Sequence, residues 1–266
     1  MNKTLYIPLY GKSYVSKKGL FLQDPKGEAI WAAEGFPLKG KAKSKWLCYY
    51  MGIRAAVFDD WTKAQMQADP DAVILHLGCG LDSRCLRVGA ENRQWYDVDL
   101  PAVMEQRKRY YQESPSYRML SGDLSRGDFW ENIPETGCAI VILEGVSMYL
   151  APEELLALLT RLCGHFSSLV LLMDAYTPMA AKLSKYKNPI HTVGAGEVFG
   201  LSDPKRLSQG DFRYTGEHPM IPQKYAKELR GLERLIFCKL YVGKIPHKLY
   251  RLYEFRKDAG CSYGKA

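Results

Sequence analysis

Two glycines and a later acid are the residues of this chain whose types and spacing point most directly to chemistry. Gly78 and Gly80 directly follow the apolar run Val73–Leu77, which has the length of a buried strand. Glycine can adopt positive φ and lets main chain approach a bound group, because it has no Cβ. Asp99 lies nineteen residues after Gly80, and an acid at about that distance holds the ribose hydroxyls of a bound nucleoside. The pattern predicts a nucleoside cofactor.

The residue at the third glycine position helps to choose the cofactor. Dinucleotide-binding folds carry G-x-G-x-x-G, whose third glycine allows close helix packing beside the pyrophosphate. Here that position is Ser83. This disfavours an NAD-type oxidoreductase and favours S-adenosyl-L-methionine, which contains no phosphate. An ordinary strand–helix turn without a ligand is the structural alternative.

Acids also follow the predicted strands. Predicted strands at residues 94–101, 117–120, 138–143 and 168–173 end at or beside Asp99, Asp123, Glu144 and Asp174. Ligands of open α/β sheets bind at the carboxyl ends of the strands. We therefore expect these carboxylates to lie at one edge of a sheet, around the cofactor.

The elements that must position these residues alternate between strand and helix, which predicts an α/β, doubly wound sheet. Helices are predicted at 24–31, 46–67, 101–112, 152–164 and 224–232, the first beginning at Asp24 and Pro25. Two further strands, at 234–242 and 249–256, are predicted to close the sheet as an antiparallel hairpin. Arg54 lies on the 46–67 helix, where local pattern alone indicates a surface arginine.

The chain is predicted to be a single domain over residues 1–266. It divides into an N-terminal cap segment (1–50), a cofactor-binding core (51–176), a substrate lid or insertion (177–223) and a C-terminal helix and hairpin (224–266). Segment 177–223 is rich in glycine, proline and polar residues and shows little periodicity. A segment that long without regular structure is usually functional.

Composition excludes several classes of protein. Hydrophobic residues make up 47% of the chain and charged residues 25%, which are globular values. Neither a signal peptide nor a membrane span is visible, so we expect no membrane partner. The seven cysteines form no C-x-x-C pair, which predicts structural thiols in a reducing cytoplasm and no zinc or other metal site.

The net charge of +8 allows a nucleic-acid alternative. Lysines cluster at residues 39–45, and a basic, aromatic tail covers 239–257. Such mixtures occur in RNA-binding proteins, but a solvated surface or a basic rim for an acidic small molecule explains them equally well. Nucleic acid is the less favoured partner. The sequence leaves the oligomeric state open.

Beyond these patterns, the chain resembles the leucine carboxyl methyltransferase family, including the polyketide O-methyltransferases grouped with it. The resemblance covers residues 4–176 and is carried by TLYIPLYG, Arg54, HLGCGLDSRCLR, WYDVDLP, and ILEGVSMYLAPEE with MDAY. It implies a Rossmann-like class I methyltransferase fold with an N-terminal helical cap, and S-adenosyl-L-methionine as the cofactor.

The resemblance also implies roles at the methionyl end of that cofactor. Gly78, with Gly80 beside it, matches the glycine whose backbone meets the methionyl group. Arg54 matches the arginine that pairs with the cofactor carboxylate, for which a guanidinium fork is suited. Glu144 matches the acid beside the methionyl group, and Lys12 lies near a lysine of the family's N-terminal segment.

At the nucleoside end, the resemblance assigns the ribose hydroxyls to Asp99, with Asp97 as the alternative. Asp123 and Leu124 match the pair at the adenine ring, the first accepting from its amino group and the second packing on its face.

The expected activity is in-line transfer of a methyl group to an oxygen of a small molecule. A carboxylate acceptor is already ionised at neutral pH and needs only orientation. A hydroxyl of a polyketide-like metabolite, the alternative acceptor, needs a base, for which His191 and His218 are unplaced candidates. Tyr149 and Tyr176 are the candidates for positioning the acceptor.

Overall fold

The computed structural model describes residues 3–135, 137–187, 197–242 and 248–259. Its centre is a seven-stranded sheet in the order β3-β2-β1-β4-β5-β7-β6. The strands are β1 (Val73–Leu77), β2 (Trp95–Asp99), β3 (Tyr117–Ser121), β4 (Cys138–Leu143), β5 (Ser168–Tyr176), β6 (Phe212–His218) and β7 (Tyr250–Lys257). Strands β1 to β5 are parallel, and β7 runs antiparallel to both β5 and β6. The predicted doubly wound α/β sheet with an antiparallel C-terminal pair is confirmed.

Helices cover both faces of this sheet. They are α1 (Tyr6–Lys17), α2 (Pro25–Glu34), α3 (Lys45–Ala68), α4 (Arg84–Arg87), α5 (Pro101–Arg107), α6 (Pro152–His165), α7 (Pro178–Lys187), α8 (Gln223–Ala226) and α9 (Gly231–Tyr241). Helix α2 begins where Asp24 and Pro25 predicted, because the Asp24 side chain accepts a hydrogen bond from the Gly27 amide at 2.8 Å. Among the described residues, no helix combines the length and apolar character needed to cross a bilayer.

The prediction of a strand at residues 234–242 was wrong, because these residues belong to α9 and its end. Phe237 is fully buried in this helix and packs edge-on against Tyr49 of α3, with ring centroids 5.9 Å apart. The strand that pairs with β7 is β6, which lies inside the segment predicted as an irregular lid or insertion. The predicted helix at 224–232 is also wrong, since α8 ends at Ala226 and α9 begins at Gly231.

Side chains of the central strands alternate between two apolar layers. Ile74, Ile140 and Leu172 contribute to the layer that holds α1 and α3. Leu75 and Val141 contribute to the layer that holds α6. Because both faces of the parallel strands are buried, their carboxyl edge is where side chains can meet a ligand.

Candidate active site

A cavity of about 770 Å³ opens at the carboxyl edge of the parallel strands. Its lining comes from the segments that follow β1 to β4, from the end of β5, and from α1, α3, α7 and α9. The lining contains every predicted site residue: Lys12, Arg54, Gly78, Gly80, Asp99, Asp123, Leu124, Glu144, Tyr149 and Tyr176. The structure therefore brings together residues that are up to 164 positions apart in the chain.

The glycine loop contains glycine both because its backbone has positive φ and because there is no room for a Cβ at Gly78. Gly78 and Gly80 have φ of +69° and +56°. A Cβ on Gly78 would lie 2.2 Å from Val146 Cγ2, a separation that side chains cannot adopt. Main chain is thereby brought directly against the cavity.

Asp99 is fixed to the same loop. Its Oδ2 accepts a hydrogen bond from the Gly80 amide and its Oδ1 accepts one from the Leu100 amide, both at 2.7 Å. Burial raises the pKa of Asp99 above its ordinary value. Each carboxylate oxygen has a second lone pair, so Asp99 can accept two further hydrogen bonds from a ligand in the cavity.

Asp97, the alternative acid on the same strand, has a different environment. It is fully buried in an ion pair with Arg107 and also accepts hydrogen bonds from Tyr117 and Trp95. Burial alone would raise the pKa of Asp97, but the Arg107 guanidinium lowers it to about 2. Asp97 is absent from the described lining of the cavity, whereas Asp99 is part of it.

Arg54 is buried, with a relative exposure of 5%, so the surface-arginine interpretation was wrong. Its Nε donates to Glu144 Oε1 at 2.8 Å, and its Nη1 donates to the Tyr250 hydroxyl at 2.7 Å. Asp174 Oδ2 lies 3.2 Å from the same Nη1. Nη2 has no partner among the described residues, which leaves it available to a ligand's carboxylate.

Arg84, which the sequence patterns did not single out, links the glycine loop to the acids behind it. Its guanidinium is fully buried and pairs with Glu144, while its Nε donates to Asp59 at 2.8 Å. Its Nη1 lies 3.2 Å from His76 Nε2. The neighbouring arginines Arg54 and Arg84 lower the pKa of Glu144 to about 2, although burial alone would raise it.

Arg84 is one member of a larger buried charge network, connected through ion pairs and hydrogen bonds. Its members are Lys12, Asp24, Arg54, Asp59, Asp82, Arg84, Arg87, Glu144 and Asp174. The network holds five carboxyl groups against four basic groups, counted from those residues, so its balance favours a positively charged ligand.

At the other end of the cavity, Asp123 and Leu124 follow β3. The Asp123 Oδ1 accepts from the Ser125 amide at 2.9 Å and from the Ser125 hydroxyl at 2.7 Å. Its Oδ2 lies 3.8 Å from Arg126 Nε. Leu124 is 8% exposed and presents an apolar surface to the cavity.

Tyrosines dominate the part of the cavity beyond Arg54. We call this group the tyrosine wall, and its members are Tyr50, Tyr149, Tyr176, Tyr241 and Tyr250. The rings of Tyr50 and Tyr176 lie 6.0 Å and 5.3 Å from the ring of Tyr250. Tyr50, Tyr241 and Tyr250 were not predicted, because their elements α3, α9 and β7 meet only in the folded chain.

Of the two histidines considered as bases, the structure describes His218, which does not line the cavity. His218 lies on β6 and is 2.6 Å from Glu254, away from the lining residues. His191 lies outside the described residues. His76 is the only histidine in the described lining, and its burial lowers its pKa.

Comparison with known proteins gives consistent similarities. A family model described as leucine carboxyl methyltransferase matches residues 10–163. The chain is 31% identical over 187 residues to the tetracenomycin polyketide synthesis O-methyltransferase TcmP of Streptomyces glaucescens, covering 69% of each protein. It is 28% identical over 183 residues to the S-adenosyl-L-methionine-dependent methyltransferase dpfgK of Gibberella zeae, covering 63% of this chain and 61% of that protein.

A solved structure extends the likeness of fold over most of the chain. The crystal structure of a DUF574 family protein from Streptomyces avermitilis superimposes with a TM-score of 0.59 and 11% identity. The match covers 89% of this chain and 92% of that one. At that identity the likeness is one of fold alone.

Proposed function

The chain belongs to the leucine carboxyl methyltransferase family and is an S-adenosyl-L-methionine-dependent O-methyltransferase, and we propose that its acceptor is the carboxylate of an apolar small molecule. One observation carries this proposal. The described lining beyond Arg54 is dominated by tyrosines and apolar side chains, with the hydroxyls of Thr4 and Ser184, and contains no histidine there. The carboxylate of Glu154, also in the lining, already accepts a hydrogen bond from the Ala151 amide at 2.7 Å.

That lining suits an acceptor that is already ionised. A carboxylic acid with a pKa of about 4 has lost its proton at neutral pH, whereas a phenol with a pKa of about 10 has not. His76 faces Arg84 and Asp97, and Glu144 is occupied by two arginines. Neither is free to act as a general base on a hydroxyl acceptor.

The residues at the methionyl end fit the cofactor. We assign its carboxylate to the open Nη2 of Arg54 and to Lys12, whose ammonium lies 2.9 Å from Asp82 and has further protons to donate. The backbone at Gly78 would hold the methionyl group. Glu144, which its low pKa keeps negatively charged, would favour the sulfonium centre.

The nucleoside end fits as well. We assign the ribose hydroxyls to the open lone pairs of Asp99, and Gly80 holds that carboxylate in place through its amide. Leu124 would pack against one face of the adenine ring. Asp123 stands at the ring's amino group, with its Oδ1 also holding the turn around Ser125.

When bound, the cofactor would supply a methyl group on a sulfonium, which a carboxylate oxygen would take with the carbon–sulfur electron pair leaving on sulfur and without a proton transfer. The protein's contribution is to align the acceptor and exclude water, which can supply about 7–11 kcal/mol. The tyrosine wall provides the enclosing surface. The excess carboxylate of the buried charge network favours the cationic cofactor over its neutral product.

The test compares matched acceptors with a carboxyl or a hydroxyl group on the same aromatic ring system. We expect methylation of the carboxyl compound, with a kcat/KM that is independent of pH between about 6 and 9, because the acceptor is ionised throughout this range. Methylation of the hydroxyl compound alone, with a rate that rises with pH, would overturn the carboxylate proposal. It would favour a hydroxyl of a polyketide-like metabolite as the acceptor.

A further inference from the structure

Large apolar side chains are exposed along the two helices that border the cavity, α7 and α9. We call them the apolar rim: Met179, Leu183, Leu232, Leu235, Ile236, Leu240 and, just after α9, Val242. These seven are the majority of the ten large hydrophobic residues that are exposed in the described part of the chain. Leu183 and Leu240 also line the cavity, so the rim is continuous with its opening.

The orientation of α9 is fixed by its buried side. Phe237 is fully buried, and its ring stacks on Tyr241 at 5.0 Å and meets Tyr49 at 5.9 Å. Residues three or four apart share a helix face, so Leu232, Leu235 and Ile236 project together away from Phe237, with relative exposures of 71%, 68% and 37%. Leu240, which is 51% exposed, lies on the flank of α9 that lines the cavity. The outward leucines are therefore a consequence of how α9 is anchored.

The charges on these helices are basic. Lys239 lies on the outward face of α9, four residues after Leu235, and Lys182 is exposed beside Leu183. Arg230 and Arg234 are exposed at the start of α9. Glu233, the acid of α9, is already paired with Lys45 at 2.9 Å. The rim thus combines aliphatic side chains with positive charges that have no acidic partner among the described residues, on a chain whose net charge is +8.

This combination distinguishes between possible occupants. A second copy packed on the same face would bring Lys239 and Lys182 against their own equivalents, and like charges oppose such a symmetric contact. Contacts between proteins are enriched in tyrosine and tryptophan, which the outward face of α9 lacks between Leu232 and Leu240. Leucines with lysine and arginine are typical of helices that lie on anionic lipid surfaces.

We propose that the apolar rim docks on an anionic lipid surface, so that an apolar acceptor enters the cavity past Leu183 and Leu240. This is contact with the surface of a lipid layer and not a span, and it departs from the expectation that the protein has no membrane partner. The docking does not depend on whether the acceptor group is a carboxylate or a hydroxyl.

The test is co-sedimentation of the full chain with vesicles. We expect binding to phosphatidylcholine mixed with phosphatidylglycerol, weaker binding to phosphatidylcholine alone, and a decrease as salt is raised. The double variant Leu232→Gln/Leu235→Gln should reduce partitioning at least about tenfold. Lys239→Glu should weaken binding to the anionic vesicles about tenfold, because it changes the local charge by two.

The control is Leu86→Gln/Leu156→Gln, which changes two leucines of 44% and 41% exposure on α4 and α6 and should leave vesicle binding intact. Equal melting temperatures and equal affinities for S-adenosylhomocysteine would show that both double variants are folded. Absence of vesicle binding by the wild type, or an equal loss in the control, would overturn the proposal. So would a dimer that the Leu232/Leu235 variant dissociates, or binding to polyglutamate without binding to vesicles, which would indicate an acidic protein partner.

Discussion

Asp97 and Asp99 lie two residues apart on β2, yet only one of them faces the cavity with lone pairs to offer. Asp99→Asn should weaken binding of S-adenosylhomocysteine about 10–100-fold, because hydrogen bonds to a charged acceptor are lost. Asp97→Asn should lower the free energy of unfolding by about 3–5 kcal/mol, since it leaves Arg107 buried without its counter-charge. Titration calorimetry and denaturant unfolding of the two variants measure these effects. Equal losses of affinity would contradict the assignment of the ribose to Asp99.

Glu144 makes the stability of the fold depend on pH. Its pKa falls from 4.5 to about 2 on folding. Glu144 therefore contributes its full stabilisation of the folded state at pH values above its unfolded pKa. That contribution, on the order of 3 kcal/mol, is lost as the pH falls from about 5 towards 2. Denaturant unfolding between these values should show a shallower pH dependence in Glu144→Gln than in the wild type. Identical slopes would mean that other acids account for the effect.

At the level of residues, the sequence located the cavity but not the charges that support it. The predicted residues follow strand ends or belong to motifs, and both signals are local. Arg84 and Asp59 carry no such signal, because an isolated charged residue in a helix is usually a solvated one. Their burial becomes apparent only when α3, α4 and β4 meet.

At the scale of elements, two glycines separate the cost of a positive φ from the cost of a steric clash. Gly78 and Gly89 have similar φ, +69° and +71°, but a Cβ would meet Val146 at 2.2 Å in the first and nothing within 4 Å in the second. Gly89→Ala should cost only the left-handed conformation, about 1–2 kcal/mol, and should retain cofactor binding. Gly78→Ala should be more destabilising and should also reduce the affinity for S-adenosylhomocysteine at least about tenfold, because the loop must move. Thermal unfolding and calorimetry of both variants test this; similar behaviour of the two would contradict it.

The errors of element prediction have a common physical origin. The buried strands β1 and β4 are continuous apolar runs, which sequence patterns identify well. Strand β6 is at the edge of the sheet, and after the buried Phe212 it alternates exposed with half-buried residues, so it carries little apolar signal of its own and depends on β7 for pairing. Helix α9 shows the opposite problem, because its exposed leucines make a short apolar run that is consistent with either a strand or a helix.

For the whole molecule, the cofactor should act as a stabilising ligand. S-adenosylhomocysteine at about 100 times its Kd should add about 2.7 kcal/mol to the free energy of unfolding. In a domain of this size that corresponds to a rise in melting temperature of about 5–10 °C. NAD at the same concentration should leave the melting temperature unchanged. A shift with NAD and none with S-adenosylhomocysteine would contradict the cofactor assignment.

The buried charge network has a consequence for how the molecule opens. Lys12 of α1 and Asp24 before α2 form ion pairs with Asp82 and Arg87 of the core, at 2.9 Å and 3.3 Å. Separating these pairs would leave buried charges without partners, at a cost of several kcal/mol each. The N-terminal cap formed by α1 and α2 should therefore not unfold independently of the core. Its amides should exchange hydrogen nearly as slowly as those of the central strands. Exchange measured by mass spectrometry would contradict this if the α1 and α2 peptides opened much earlier than β1 and β4. A cap that opens only with the core would make the loss of cofactor and the loss of the fold one cooperative event.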